Sequence, residues 1–172
     1  ESSKTVISVC AVRTGCGKSQ TSRKVLEIIQ GMGKKVVSVR HPMPYGDLTQ
    51  QVVQRFSSYE DLDTHHCTIE EREEYAPYVD MGIPIYAGVD YQGILDESSS
   101  EADIVMWDGG NNDFSFIRPD LDIVVVDALR AGHEIDYFPG EVNFRRADIL
   151  VIGKANSAAP GAVGGIRERA QA

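Results

Sequence analysis

One stretch constrains the chain more than any other. From Cys10 to Val25 it reads CAVRTGCGKSQTSRKV, closing a β-branched run, crossing two glycines and entering residues that favour helix. A strand, a glycine loop and a helix in that order put the unpaired N–H groups of the helix N-terminus at the carboxyl end of the strand, where an anion can sit. The phosphate-loop pattern asks for glycine, four variable residues, then Gly-Lys-Ser or Gly-Lys-Thr. Gly17, Lys18 and Ser19 match it, and Val12 stands where the first glycine would be. Gly15 and Gly17 still supply the permissive backbone that such a loop requires.

The expectation is a nucleotide phosphate site. Thr14, Gly15, Cys16 and Gly17 would offer backbone N–H groups, Lys18 would reach the terminal phosphates as a point charge, and Ser19 would place its hydroxyl on Mg²⁺. Gln20 closes the nucleotide-binding stretch. RTGCGKS also resembles the loop of the signature-lysine class of P-loop proteins, with Arg13 where their extra lysine stands; that resemblance implies that Arg13 acts on charge developing at a transferred phosphoryl group, the other reading being a surface arginine beside an anion site. Arg13, Lys18 and Asp108 are the candidate catalytic residues.

The remaining pattern is α/β. KTVISVCAV, KSQTSRKVLEIIQGMG and KKVVSVRHP read as strand, helix and strand. The apolar runs IPIYA, ADIVMWD, LDIVVVD and ADILVIG follow, with polar or helical segments between most of them. This predicts a three-layer P-loop NTPase fold, a mainly parallel sheet covered by helices. DLTQQVVQRFSS is expected as a helix, YEDLDTHHC as a loop, and TIEEREEYAPYVDMG as a helix opened by a capping box of Thr68 and Glu71. Glu70, Glu71, Glu73 and Glu74 are read as solvating that helix and stabilising its positive end. Residues 1–172 are taken as one P-loop nucleotide-binding domain and, from the way the chain opens and stops, as part of a longer protein.

In an open parallel sheet ligands gather at the carboxyl ends of the strands. Asp108 ends ADIVMWD and is expected to hold Mg²⁺ together with Ser19, and Asp127 ends LDIVVVD on the same edge as a second choice. Gly109 to Asp113 are expected as a turn in which Asn111 and Asn112 meet a ligand or a metal-bound water. Arg130 and His133 follow one strand and Arg40 and His41 another, a set of cationic and polar groups suited to an anionic substrate. VIGKANSA lies where G-domain proteins carry a base-reading Asn-Lys-x-Asp. Lys154 is kept, but Gly153 and Asn156 replace the outer residues, and an Asn amide lacks the paired acceptors that read guanine. Lys154 and Asn156 therefore join the nucleotide-binding set, with ATP as the nucleotide.

Charge bounds the partners. Lys and Arg number 17 against 26 Asp and Glu, a formal charge of −9, which disfavours a nucleic-acid backbone as the main ligand. No apolar run is long enough to span a bilayer, so no membrane is expected. Three cysteines without paired spacing fit a reducing, cytoplasmic setting. Cys67 beside His65 and His66 lacks the partners of a zinc site. A homodimer is left open.

Taken together, AVRTGCGKSQTSR, EEREEY, YAGVDYQGIL, WDGGNND, RAGHE and GKANSA resemble the cyclic 2,3-diphosphoglycerate synthetase family, and the loop is similar to those of the signature-lysine class and of dethiobiotin synthetase. The resemblance implies an enzyme that uses ATP and Mg²⁺ to close 2,3-diphosphoglycerate into a cyclic phosphoanhydride, with Arg40, His41, Asn111, Asn112, Arg130 and His133 on the small phosphorylated acid. Two alternatives stand beside it. One is a nucleotide-dependent switch or metallochaperone of the signature-lysine class. The other is a transferase or ligase acting on another small acid, since fold does not fix substrate.

Overall fold

The computed structural model describes residues 2–111 and 113–171; the side chain of Asn111 and all of Asn112 lie outside the described residues. Seven strands, β1 (Thr5–Ala11), β2 (Val36–Arg40), β3 (Gln54–Phe56), β4 (Ile85–Ala87), β5 (Ile104–Asn111), β6 (Leu121–Asp127) and β7 (Ile149–Gly153), form one sheet in the order β3-β4-β2-β5-β1-β6-β7. β1 with β6, β6 with β7, and β2 with both β4 and β5 pair in parallel, while β3 pairs antiparallel with β4. The helices are α1 (Lys18–Gly31), α2 (Tyr59–Thr64), α3 (Ile69–Asp80), α4 (Tyr91–Glu101), α5 (His133–Asp136), α6 (Gly140–Arg146) and α7 (Ala162–Ala170). The α/β class and mainly parallel sheet expected from the sequence are what the chain adopts.

The chain divides into two compact units. The first comprises Glu1–Val6, Val25–Trp107 and Phe116–Arg118; the second comprises Ile7–Lys24, Asp108–Ser115 and Pro119–Ala172. In the first, Phe56 and Tyr75 stack at 4.7 Å, and both are buried with Leu62, Tyr78 and Ile85. A second aromatic group joins His41, Tyr91, Trp107 and Phe116, in which Tyr91 stacks on Phe116 at 4.4 Å and Trp107 is fully buried. In the second unit the core is built from Val9 to Val12 of β1 and its end, from Ile123 to Val126 of β6, and from Phe144 and Ile166 of two helices.

Two expectations around residues 47–64 are corrected. The segment DLTQQVVQRFSS is not a helix: it ends in β3, an edge strand. Its burial alternates, with Gln54 and Phe56 inward and Arg55 half-buried, so β-branched Val52 and Val53 lead into a period of two rather than 3.6. YEDLDTHHC is not a loop: α2 starts inside it, capped by Ser58 with Asp61 in a reciprocal box. The Thr68 box on α3 is present as expected, with the Thr68 hydroxyl accepting from the Glu71 N–H at 3.3 Å and the Glu71 carboxylate accepting from the Thr68 N–H at 2.8 Å. Glu71 is buried rather than solvated, and also accepts from the Gln51 amide at 3.2 Å.

The box gives a stability test. Thr68→Ala should cost about 1 kcal/mol by urea denaturation, because one of the first-turn N–H groups loses its acceptor. An unchanged midpoint would show that the helix start is held by other contacts.

Candidate functional site

All of the phosphate-loop geometry lies in the second unit. β1 ends at Ala11, and Gly15 and Gly17 take φ values of 85° and 101°, in the left-handed region that favours glycine. α1 then begins at Lys18 with a stripe running along one face. Lys18, Ser22, Leu26 and Ile29 are all buried, three or four residues apart, so the loop lysine heads the stripe that packs inward.

That stripe meets Asp108. The Lys18 ammonium donates to Asp108 Oδ1 at 2.7 Å, and the Ser22 hydroxyl donates to the same oxygen at 2.7 Å. Lys18 is 7% exposed and Asp108 1%, so this is a buried charge pair with a hydroxyl as third partner. Asp108 is not at the end of β5, as expected, but inside it. The strand runs on to Asn111, so Gly109 to Asn111 are strand and not turn, and the Gly110 N–H donates to the Asp113 carboxylate at 3.0 Å. Two successive glycines leave the backbone bare on both faces beyond Asp108. Asn111 and Asn112 as ligand-contacting residues fall outside the described side chains.

The opposite side of the loop is gripped by Lys154. Its ammonium donates to the Gly15 carbonyl at 2.6 Å and to Asp127 Oδ2 at 2.8 Å. Its backbone is left-handed, with φ 58°, which turns the chain sharply after β7. Gly153 just before it has a steric reason: a Cβ there would come 2.7 Å from the Cys16 carbonyl oxygen. A side chain cannot occupy the place of the G-domain asparagine unless the phosphate loop moves. Val12, which replaces the first motif glycine, is buried, and the close approach is supplied from the other partner, because a Cβ on Gly140 would lie 2.5 Å from the Val12 carbonyl. Burial raises the Asp127 carboxyl, but the Lys154 ammonium and the Leu129 N–H outweigh it and hold the group below its ordinary value. Asn156 is exposed in a short 3₁₀ turn.

Arg13 and His133 are brought together, an Arg13 Nη1 contacting His133 Nδ1. The Arg130 guanidinium lies beside Gly15, about where a Cβ at that residue would be 3.9 Å from it. Arg40 and His41 belong to the first unit. There Arg40 pairs with Glu74 at 2.6 Å and lies over the Tyr75 ring, while His41 Nδ1 contacts the Tyr91 hydroxyl at 2.8 Å. Ser22, Gly140 and Gly153 went unrecognised in the sequence. Ser22 had a signal, one turn beyond Lys18 on the same face. The two glycines had none, since their partners are distant in the chain.

Ser19 and Asp108 are hard oxygen donors of the kind Mg²⁺ takes. Among the described residues no group of three or more His, Cys, Asp or Glu side chains converges as a metal site.

No protein-family model matches the chain. A curated protein of Thermococcus kodakarensis named arginine synthetase ArcE is 65% identical over 158 residues, which is 92% of this chain. The chain spans about a third of that relative's length, 35%. The relative's name corrects the reading drawn from resemblance: its product is arginine, not a cyclic phosphoanhydride. No helix of the described residues is long and apolar enough to cross a membrane.

Two predictions follow from this geometry. Lys18→Ala strips a buried Asp108 of its counter-charge and should cost about 3–5 kcal/mol, most of it recovered in Lys18→Ala with Asp108→Asn. Additive losses in a denaturation cycle would mean the pair is not coupled. The lowered Asp127 carboxyl adds stability that is fully present above its ordinary value of 3.8 and is lost as pH falls through the lower folded value. Lys154→Ala should therefore flatten the acid limb of the stability profile in that window, and an unchanged limb would assign the effect elsewhere.

Proposed function

We propose that this chain is the ATP-binding, phosphoryl-transfer domain of an arginine-forming synthetase. The observation that carries the reading is Asp108 shared by Lys18 and Ser22 beneath a phosphate loop, in a chain 65% identical to a protein named for arginine synthesis.

The chemistry follows from the product. The guanidinium carbon of arginine bears three nitrogens, so forming it from a ureido acid requires one oxygen to leave. A ureido oxygen leaves poorly and a phosphorylated one leaves well. In the proposed sequence the ureido oxygen attacks the terminal phosphorus of ATP and ADP departs. A nitrogen nucleophile then adds to the carbon, loses a proton, and inorganic phosphate departs with the oxygen. The enzyme forms no covalent bond. It supplies position and charge, on which phosphoryl transfer depends.

Each residue then has a role. Gly15 to Gly17 and the start of α1 receive the phosphates, and Lys18 exchanges Asp108 for a terminal phosphate oxygen. Ser19 and Asp108 would hold Mg²⁺, which when bound neutralises phosphate charge. Lys154 keeps the loop in place by its carbonyl and by Asp127. Arg13 meets the transferred phosphoryl group, and Arg130 beside Gly15 meets the carboxylate of the amino acid. With Gly153 barred from carrying a side chain and Asn156 exposed, the base is read weakly, and ATP is bound at least as well as GTP.

The test is arginine formation by the full-length protein given ATP, Mg²⁺, a ureido acid and ammonium, followed by chromatography of the amino acid and phosphorus NMR of the phosphate. Lys18→Arg keeps a counter-charge for Asp108 but replaces a compact ammonium by a wide fork, and should lower turnover about 10²–10³-fold without loss of fold. No arginine from the wild type, or full turnover by a folded Lys18→Arg, would overturn the assignment.

A further inference from the structure

Arg13 has a buried Nε–H with no partner among the described residues, while its Nη1 is held by His133. A guanidinium is always protonated and has no acceptor, so the ring nitrogen it meets must be the acceptor. The contact therefore calls for the His133 tautomer that leaves Nδ1 as the acceptor and carries the proton on Nε2. The ring is braced. His133 opens the four-residue α5 after Gly132, whose φ is 109°. The next residue, Glu134, is 1% exposed; it accepts from the Gly132 N–H at 2.8 Å and from Arg169 of α7 at 2.6 Å. The Tyr137 ring stands edge-on to the imidazole at 5.3 Å.

We propose that His133 is a positioning residue for Arg13, rather than a ligand of the acid substrate: through Nδ1 it holds one side of the guanidinium so that the Nε edge is presented to a phosphoryl oxygen. This rests on the proposed phosphoryl-transfer reading and adds to it the part that fixes the arginine. An arginine has many rotamers, and ordering it in advance removes a cost that would otherwise fall on the reaction. The anchor reaches the loop from α7 through Glu134, α5 and His133, all within the second unit.

The first measurement is nitrogen NMR of the full-length protein labelled at histidine. At neutral pH His133 should carry its proton on Nε2, and Arg13→Ala should release that tautomer to a mixture. A proton on Nδ1 in the wild type overturns the proposal without reference to activity. The second is arginine formation by variants. His133→Ala should lower kcat up to about 100-fold with KM for ATP little changed. His133→Asn, whose Oδ1 stands near the place of Nδ1, should restore most of the loss, and His133→Gln, whose acceptor lies nearer Nε2, should not. The double variant with Arg13→Ala should be no worse than Arg13→Ala alone. A loss in Arg13→Ala with full activity in His133→Ala removes the positioning role and leaves the proposed function intact. Full activity in Arg13→Ala instead refutes the role of Arg13 in that function, and the catalytic consequence of the histidine contact with it.

Discussion

The buried contact of Lys18 with Asp108 is the constraint from which the second unit is built. Two charges removed from water are costly to desolvate, and their attraction offsets that only when geometry is good and remaining lone pairs are used. Here the distance is 2.7 Å, and Ser22 gives the same carboxylate oxygen a second donor at 2.7 Å. Both donors come from one face of α1, one turn apart, so a single carboxylate on β5 fixes the rotation of the helix and with it the exit of the glycine loop. The lysine is thereby held in one place at the start of the helix.

The loop is held in shape from outside as well as by its own glycines. Gly15 and Gly17 provide the left-handed turns, but Val12 and Cys16 present carbonyls that two other glycines, Gly140 and Gly153, approach to distances where a Cβ would collide. The missing glycine at residue 12 is matched by space: Val12, just past the end of β1, keeps a buried apolar side chain, and the close backbone approach comes from Gly140 of α6. Lys154 completes the clamp by turning left-handed and spending its charge on Asp127 and the Gly15 carbonyl.

The parts legible in the sequence were those governed by local rules. The strand, loop and helix order around Lys18 was legible because a glycine-lysine-serine start is tied to its own flanking pattern, and the Thr68 box because both partners lie three residues apart. β3 was misread because three residues of edge strand carry too short a period to compete with the apolar spacing of Val52, Val53 and Phe56, and their pairing with β4 is a tertiary fact. The course of β5 past Asp108 was missed for a similar reason: Gly-Gly-Asn-Asn is turn chemistry by composition, yet the backbone stays extended through Asn111. Family resemblance pointed to a phosphorylated acid as the substrate, whereas the named relative makes arginine. A nucleotide loop constrains how an oxygen is activated far more than which oxygen it is.

The charge pattern of the unit bears on that same separation. The chain carries a formal charge of −9, yet Arg13, Lys18, Arg130 and Lys154 gather about one loop. Were all four unpaired, the loop would be a strong trap for any polyanion. Two of them are instead paired with aspartates, Lys18 with Asp108 and Lys154 with Asp127, and Arg13 contacts the His133 imidazole. Arg130 is exposed at the rim beside Gly15, so a change there leaves the buried pairs undisturbed. On the proposed reading, the buried pairs would carry the activation chemistry and the exposed rim would choose the substrate.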